Sequence, residues 1–166
     1  MKTNLPIVLL FVILFLGSCT PENNDIPNVA PVATVKVVDY KYNAMELQTM
    51  FLINEYRKNI GLNVLKIVDH ISFKSAEHAD YMIVNNVVNH DDFKSRAENI
   101  IKVLGAIKVS ENIAYNFNTP QAAFEAWMNS LGHKENIKGD FTHFGIAIRE
   151  NPVNGRKYFT NIFVKI

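Results

Sequence analysis

Three histidines and one glutamate in the second half of the chain are the residues best suited to chemistry. His90 lies in a polar, turn-prone stretch, Glu111 follows a serine, and His133 and His143 come further along the chain. Imidazole nitrogen and carboxylate oxygen both suit zinc and other divalent metals, and a metal with an open coordination position can activate water. These residues are far apart in sequence, so spacing alone predicts no metal site and their convergence depends on the fold.

A serine or cysteine nucleophile is not indicated. Ser110 and Ser130 lie outside any nucleophile-elbow pattern. Ser130 and His133 stand at helical spacing, but such a pair is more typical of capping and packing at a helix end. No self-sufficient catalytic motif is present, so the sequence favours a non-enzymatic function while leaving enzyme activity open.

Caps and apolar stripes predict four helices in the region that carries these residues. Their predicted starts and ends are Asn43 to Gly61, Asp69 to about Asn85, Asp92 to Leu104, and Thr119 to Gly132. Arg57 is expected at the surface of the first helix, and His78 is expected to be a packed structural residue of the second. Trp127 and Leu131 are expected on the buried face of the fourth.

A C-terminal β-hairpin is predicted after these helices. Residues 144–148 and 158–166 alternate or run apolar, and the intervening 151–155 contains asparagine, proline and glycine, which form turns. The pattern therefore predicts a mixed α and β domain that ends in an antiparallel hairpin.

The front end has the features of a targeting segment. Lys2 precedes an apolar run at 5–16, which is too short to span a bilayer. Residues 16–19 read Leu-Gly-Ser-Cys, and Cys19 is the only cysteine of the chain. This pattern resembles a bacterial lipobox, so we expect a signal peptide at 1–18 and lipid on Cys19. The alternative is an ordinary secretory signal with a chance cysteine.

Residues 19–41 are expected to be the lipidated cysteine and a flexible tether, because three prolines and a polar run block regular helix. Residues 42–166 are then the folded domain. The chain has 17 basic and 16 acidic residues, which gives no electrostatic footprint for nucleic acid. The expected partner is a membrane, reached through lipid on Cys19, and the expected location is the cell envelope.

Three short motifs resemble the CAP superfamily, whose SCP domains take their name from cysteine-rich secretory proteins, antigen 5 and plant pathogenesis-related proteins of group 1. They are Asn54-x-x-Arg57 before Gly61-Leu62, Ser110-Glu111-Asn112-Ile113, and Ser130-x-x-His133-x-x-Asn136-Ile137. The single cysteine departs from the disulfide-rich eukaryotic members and is more similar to a bacterial lipoprotein branch.

The resemblance implies a three-layer α/β/α sandwich with a central antiparallel sheet. It also implies a cleft tetrad in which His90, Glu111 and His143 take three positions. Where eukaryotic members have a second glutamate, this sequence has Ser130, and His133 would fill the gap. A divalent metal such as Zn²⁺ would use His90 and His143.

Three functions are compatible with this pattern. The favoured one is a lipid-anchored extracytoplasmic module whose His/Glu cleft binds a peptide, glycan or lipid. The second is a metal-assisted hydrolase of a cell-envelope or extracellular substrate. The third is a structural scaffold with an interaction surface that the sequence does not identify.

Overall fold

The computed structural model describes residues 39–166. The predicted signal peptide, the lipidation site Cys19 and most of the predicted tether lie outside the described residues. Within 39–166, five helices and four strands follow one another along the chain. In chain order they are α1 Ala44–Asn59, β1 Lys66–Ile67, α2 Asp69–Asn85, α3 Phe93–Leu104, β2 Lys108–Tyr115, α4 Pro120–Asn129, α5 Leu131–Lys138, β3 His143–Glu150 and β4 Lys157–Lys165.

The four strands form one sheet in the order β1-β3-β4-β2. The last strand, β4, is central, because it pairs antiparallel with both β2 and β3. The predicted hairpin is therefore present as β3 and β4. Only the two-residue β1 runs parallel to its neighbour, so the sheet is antiparallel except at that edge.

Helices cover both faces of the sheet. On one face Phe144 and Phe163 join the main core with side chains from α1, α4 and α5. On the other face Ile162 packs with Ile71 of α2 and Ile100 of α3. Because strand side chains alternate between faces, apolar residues on both sides of β4 are buried, and the three-layer α/β/α sandwich is confirmed.

The first and fourth helices begin as predicted. Asn43 accepts a hydrogen bond from the Glu46 backbone, and the Glu46 carboxylate accepts one from the Asn43 backbone, which completes a capping box. Thr119 caps α4 in front of Pro120. These local bonds satisfy backbone N–H groups that the first helical turn leaves without partners.

The predicted end of the fourth helix is wrong. Helix α4 ends at Asn129, Ser130 has an extended backbone, and a separate helix α5 begins at Leu131. Leu131 is 76% exposed rather than buried, because the change of direction at Ser130 takes it off the face of α4 that packs on the core. Gly132 therefore lies in the first turn of α5 and does not close α4.

Arg57 is fully buried, which corrects its expected place at the surface. Its guanidinium donates to the backbone carbonyls of Asn63, Ile137 and Gly139 at 2.8 to 2.9 Å. Burial lowers the pKa of Arg57. The side chain ties the end of α1 to the connection between α5 and β3, so this motif arginine has a structural function.

The chain is already packed at Tyr40, inside the stretch expected to be tether. Tyr40 is buried against Ala76 and Ala147, and its hydroxyl donates to the buried Glu46 carboxylate at 2.8 Å. Within residues 39–166, no helix is long and apolar enough to cross a membrane.

Candidate functional site

Glu111 lies in the middle of β2 and points into the layer that contains α2 and α3. Its side chain is 1% exposed. Arg96 of α3 donates from Nε to Oε2 at 3.0 Å and from Nη2 to Oε1 at 2.9 Å. This bidentate ion pair compensates the charge of the buried carboxylate and engages both carboxylate oxygens.

His90 is held by the same carboxylate. Its Nδ1 lies 2.8 Å from Glu111 Oε1, while its side chain is 52% exposed. An ionised carboxylate can only accept, so Nδ1 carries a proton, and the lone pair of the neutral form of the ring lies on Nε2. The result is a solvent-accessible imidazole of fixed orientation.

The loop that carries His90 connects α2 to α3 and is fastened by its backbone. Arg96 Nη1 donates to the Asp91 carbonyl at 2.6 Å, and the Phe93 amide donates to the His90 carbonyl at 3.1 Å. Asp92 stands at the N-terminus of α3 as predicted, but its side chain makes no capping bond. Its backbone has a left-handed φ of 57°, whereas side-chain capping needs an extended backbone.

His133 approaches from α5. Asn112 of β2 donates to the His133 carbonyl at 3.0 Å, and Asn136 donates to Asn112 Oδ1 at 2.8 Å and to the Glu111 carbonyl at 3.3 Å. These bonds fasten α5 to the strand that carries Glu111. The pKa of His133 is lowered, first by burial and then by the charge that His90 carries when its ring is protonated, so the two rings lie close enough to interact electrostatically.

The structure does not bring His143 into this group. Glu111 of β2 and Gly145 of β3 both lie opposite Ile162 of β4, the strand between them. His143 lies at the start of β3, two strands from β2, beside Lys66 and Val164. Its Nδ1 is 2.8 Å from the Thr142 hydroxyl. Partial burial and then the nearby charge of Lys66 lower its pKa.

The donor set does not fit a metal site that uses Glu111 as a ligand. Both carboxylate oxygens are already engaged, because Oε2 accepts from Arg96 and Oε1 accepts from Arg96 and His90. Among residues 39–166, no group of three His, Cys, Asp or Glu side chains is arranged to hold a metal ion. His90 and His133 supply two imidazoles, one fewer than the three protein ligands usual for catalytic zinc.

Two parts of the site were not anticipated from the sequence. Arg96 lies within the apolar stripe of α3, and a charged residue on that predicted buried face was the available signal. Asn112 and Asn136 were identified only as members of two motifs, and nothing in the sequence around them indicated that their side chains bond to each other. Trp127, expected in the core, is buried and donates from Nε1 to the Ile113 carbonyl at 2.9 Å.

The fold and the His/Glu/Arg group define an α/β/α sandwich domain with a polar cluster between β2 and its flanking helices. A sequence model of the cysteine-rich secretory protein family, CAP, matches residues 50–164. The chain belongs to this family, and the resemblance drawn from its motifs is confirmed.

Relatives and solved structures agree with this assignment. The uncharacterized membrane protein YlbC of Bacillus subtilis is 32% identical over 133 residues, covering 72% of this chain and 34% of YlbC. The uncharacterized protein YkwD of the same organism is 31% identical over 113 residues, covering 66% of this chain and 44% of YkwD. The chain thus spans less than half the length of these relatives.

Two solved structures share the fold. An extracellular SCP-domain protein of Bacillus anthracis superposes with a TM-score of 0.65 and 27% identity, covering 73% of this chain and 40% of the other. An outer surface protein of Borrelia burgdorferi superposes with a TM-score of 0.67 and 22% identity, covering 76% of this chain and 97% of the other. Three of these four proteins are described as outer surface, extracellular or membrane proteins.

Proposed function

We propose that this chain is a lipid-anchored extracytoplasmic binding module whose ligand contacts His90 and His133. The observation that carries the proposal is the half-exposed His90 ring, held through Nδ1 on a buried carboxylate that Arg96 neutralises. An imidazole fixed in this way is pre-organised, so a ligand that donates to Nε2 does not have to order the side chain.

The geometry gives Glu111 an orienting role rather than that of a general base. A general base needs a free lone pair on a group that can take and release a proton within reach of substrate. Glu111 accepts from both Arg96 and His90 and is shielded from solvent, so it orients His90 and is unsuited to accept a substrate proton.

The binding test uses the range that the structure describes, 39–166, immobilised and exposed to separated peptidoglycan, glycan and lipid fractions of a cell envelope. We expect one fraction to be retained by the wild type and lost by a His90→Ala/His133→Ala double variant. A His143→Ala variant is the matched control, because it removes a partly buried histidine outside the group. Equal retention by the double variant would favour the scaffold alternative.

A metal-assisted hydrolase is the second candidate, and one observation favours it. Metal-binding histidines usually donate their other ring nitrogen to a carboxylate, as His90 does to Glu111. Zinc calorimetry on the folded domain tests it. Stoichiometric binding that disappears in His90→Ala would support this candidate, and the absence of binding by the wild type would remove it.

The anchor is tested separately. The Leu-Gly-Ser-Cys pattern at 16–19 and the surface or membrane descriptions of the relatives support lipid on Cys19. We expect the full chain expressed in bacteria to incorporate a labelled fatty acid and to fractionate with membranes. Cys19→Ser should lose the label, whereas Ser18→Ala, which keeps a small residue before the cysteine, should retain it.

A further inference from the structure

His78 of α2 lies beneath the loop that carries His90, and its two ring nitrogens differ in their hydrogen bonding. Nε2 is 2.8 Å from the Asn89 carbonyl, one residue before His90, while Nδ1 is buried without a hydrogen-bond partner among the described residues. A carbonyl can only accept, so Nε2 carries the proton and the neutral ring leaves its lone pair on Nδ1. The ring is 2% exposed, so water does not substitute for this bond.

The same nitrogen also faces the buried carboxylate of the site. His78 Nε2 lies 4.0 Å from Glu111 Oε1, the oxygen that accepts from His90 Nδ1 and Arg96 Nη2. The ring of His78 stacks on Tyr81, with centroids 5.7 Å apart and planes 14° apart. Packing and one hydrogen bond thus hold its N–H at the junction of the loop and Glu111.

We propose that His78 is a positioning residue, whose bond to the Asn89 carbonyl sets the backbone of the loop so that His90 Nδ1 reaches Glu111. This inference rests on the proposed function, because it concerns the orientation of the same imidazole. His78 itself contacts no ligand. Its effect passes through Asn89 to the tautomer of His90 and thereby to the atom that the site presents.

Two other contacts hold the loop and separate the role of His78 from theirs. Arg96 binds the Asp91 carbonyl, but it also pairs with Glu111, so changing it would disturb the site directly. Tyr81 donates to the Asp91 side chain at 2.9 Å near the surface. His78 also makes a buried contact to this loop, but replacing it leaves the Glu111–Arg96 pair intact.

The test reads the tautomer of His90 by long-range ¹H–¹⁵N NMR on the full chain in detergent micelles, labelled at its five histidines. The wild type is expected to show the proton of His90 on Nδ1. In His78→Leu, which keeps volume but has no donor, we expect loss of that Nδ1–H pattern in the folded protein. In His78→Gln, whose amide can reach the Nε2 position, we expect the wild-type pattern to return.

Ser75→Ala is the control for a merely structural effect. Ser75 is buried one turn earlier on α2 and bonds to the Ile71 carbonyl, so its loss lowers stability without touching the loop. In the Ser75→Ala variant, the tautomer of His90 should be the same as in the wild type. If His78→Leu does not fold, His78→Asn, whose amide is too short to reach Asn89, replaces it.

Three outcomes would overturn the proposal. They are a wild-type His90 protonated on Nε2, an unchanged His90 in the donor-less variant, and loss of the pattern in His78→Gln as well as in His78→Leu. The measurement uses no ligand, so its failure is distinct from failure of the binding proposal.

Discussion

At the scale of single residues, the site is organised by one buried charge pair. Glu111 and Arg96 are both largely removed from water, and each compensates the charge of the other. Removing one partner of such a pair leaves an uncompensated buried charge, which is more destabilising than removing both. His90 depends on this pair, because the carboxylate that Arg96 keeps in place is the acceptor for its Nδ1.

Arg96→Met is therefore expected to lower the free energy of unfolding by about 3–5 kcal/mol. The isolated Glu111 carboxylate would be buried without its guanidinium. Adding Glu111→Gln should recover part of the loss, because the charge is removed. Urea unfolding of the two variants and the wild type measures this, and a double variant less stable than Arg96→Met would contradict the charge-pair account.

The pH dependence of stability follows from three histidines. Burial lowers the pKa of His78, His133 and His143 below the ordinary 6.5. The unfolded chain therefore binds more protons than the folded one just below pH 6.5, so stability decreases as pH falls below about 6.5. Urea midpoints across that range should fall, and His133→Gln should reduce the slope. A flat profile would contradict the assigned direction.

At the scale of elements, asparagine and arginine side chains set the position of α5. Asn112 and Asn136 attach it to β2, while Arg57 holds the carbonyls where it ends. The helix contributes only Ile137 to the fully buried core, so polar bonds replace much of the apolar contact that usually places a helix. The position of His133 depends on these bonds.

Arg57→Lys is expected to be disruptive although charge is retained. A lysine ammonium cannot reproduce the planar fork that reaches three carbonyls at once. We expect a loss of about 1–3 kcal/mol, from the carbonyls left buried without donors, together with faster amide exchange in α5. The neighbouring exposed Lys58→Arg is the control and should change stability by less than about 0.5 kcal/mol. Equal stability of the two variants would contradict the role assigned to Arg57.

The sequence predicted elements better than it predicted contacts between them. Caps such as Asn43 and Thr119 and the apolar alternation around the hairpin are local signals, and the elements they mark are present. The separation of α4 from α5 was missed, because Ser130 and Gly132 permit either a helix end or a new start. His143 was included in the tetrad because of its place in a motif, whereas strand register decides which side chains meet.

At the scale of the whole molecule, β4 is the strand on which the sheet depends. It lies between β2 and β3 and contributes apolar side chains to both cores. Both neighbours would lose their ladder partner without it, and two opposed layers of helices would lose the surface that they cover.

Deleting residues 157–166 is accordingly expected to abolish cooperative folding, with loss of near-ultraviolet circular dichroism and of NMR signal dispersion. The control is a four-residue glycine–serine insertion after Gly155, which lies in the exposed turn between β3 and β4 and should leave the fold intact. A folded deletion variant would show that α2 and α3 can pack on β2 and β3 alone.

The central position of the last strand also bears on when the protein folds. While a ribosome is still making residues before 157, β2 and β3 have no strand between them, so neither the sheet nor its two cores can close. The helices and the other three strands, which all precede β4 in the chain, must therefore wait for it before they can pack on a complete sheet.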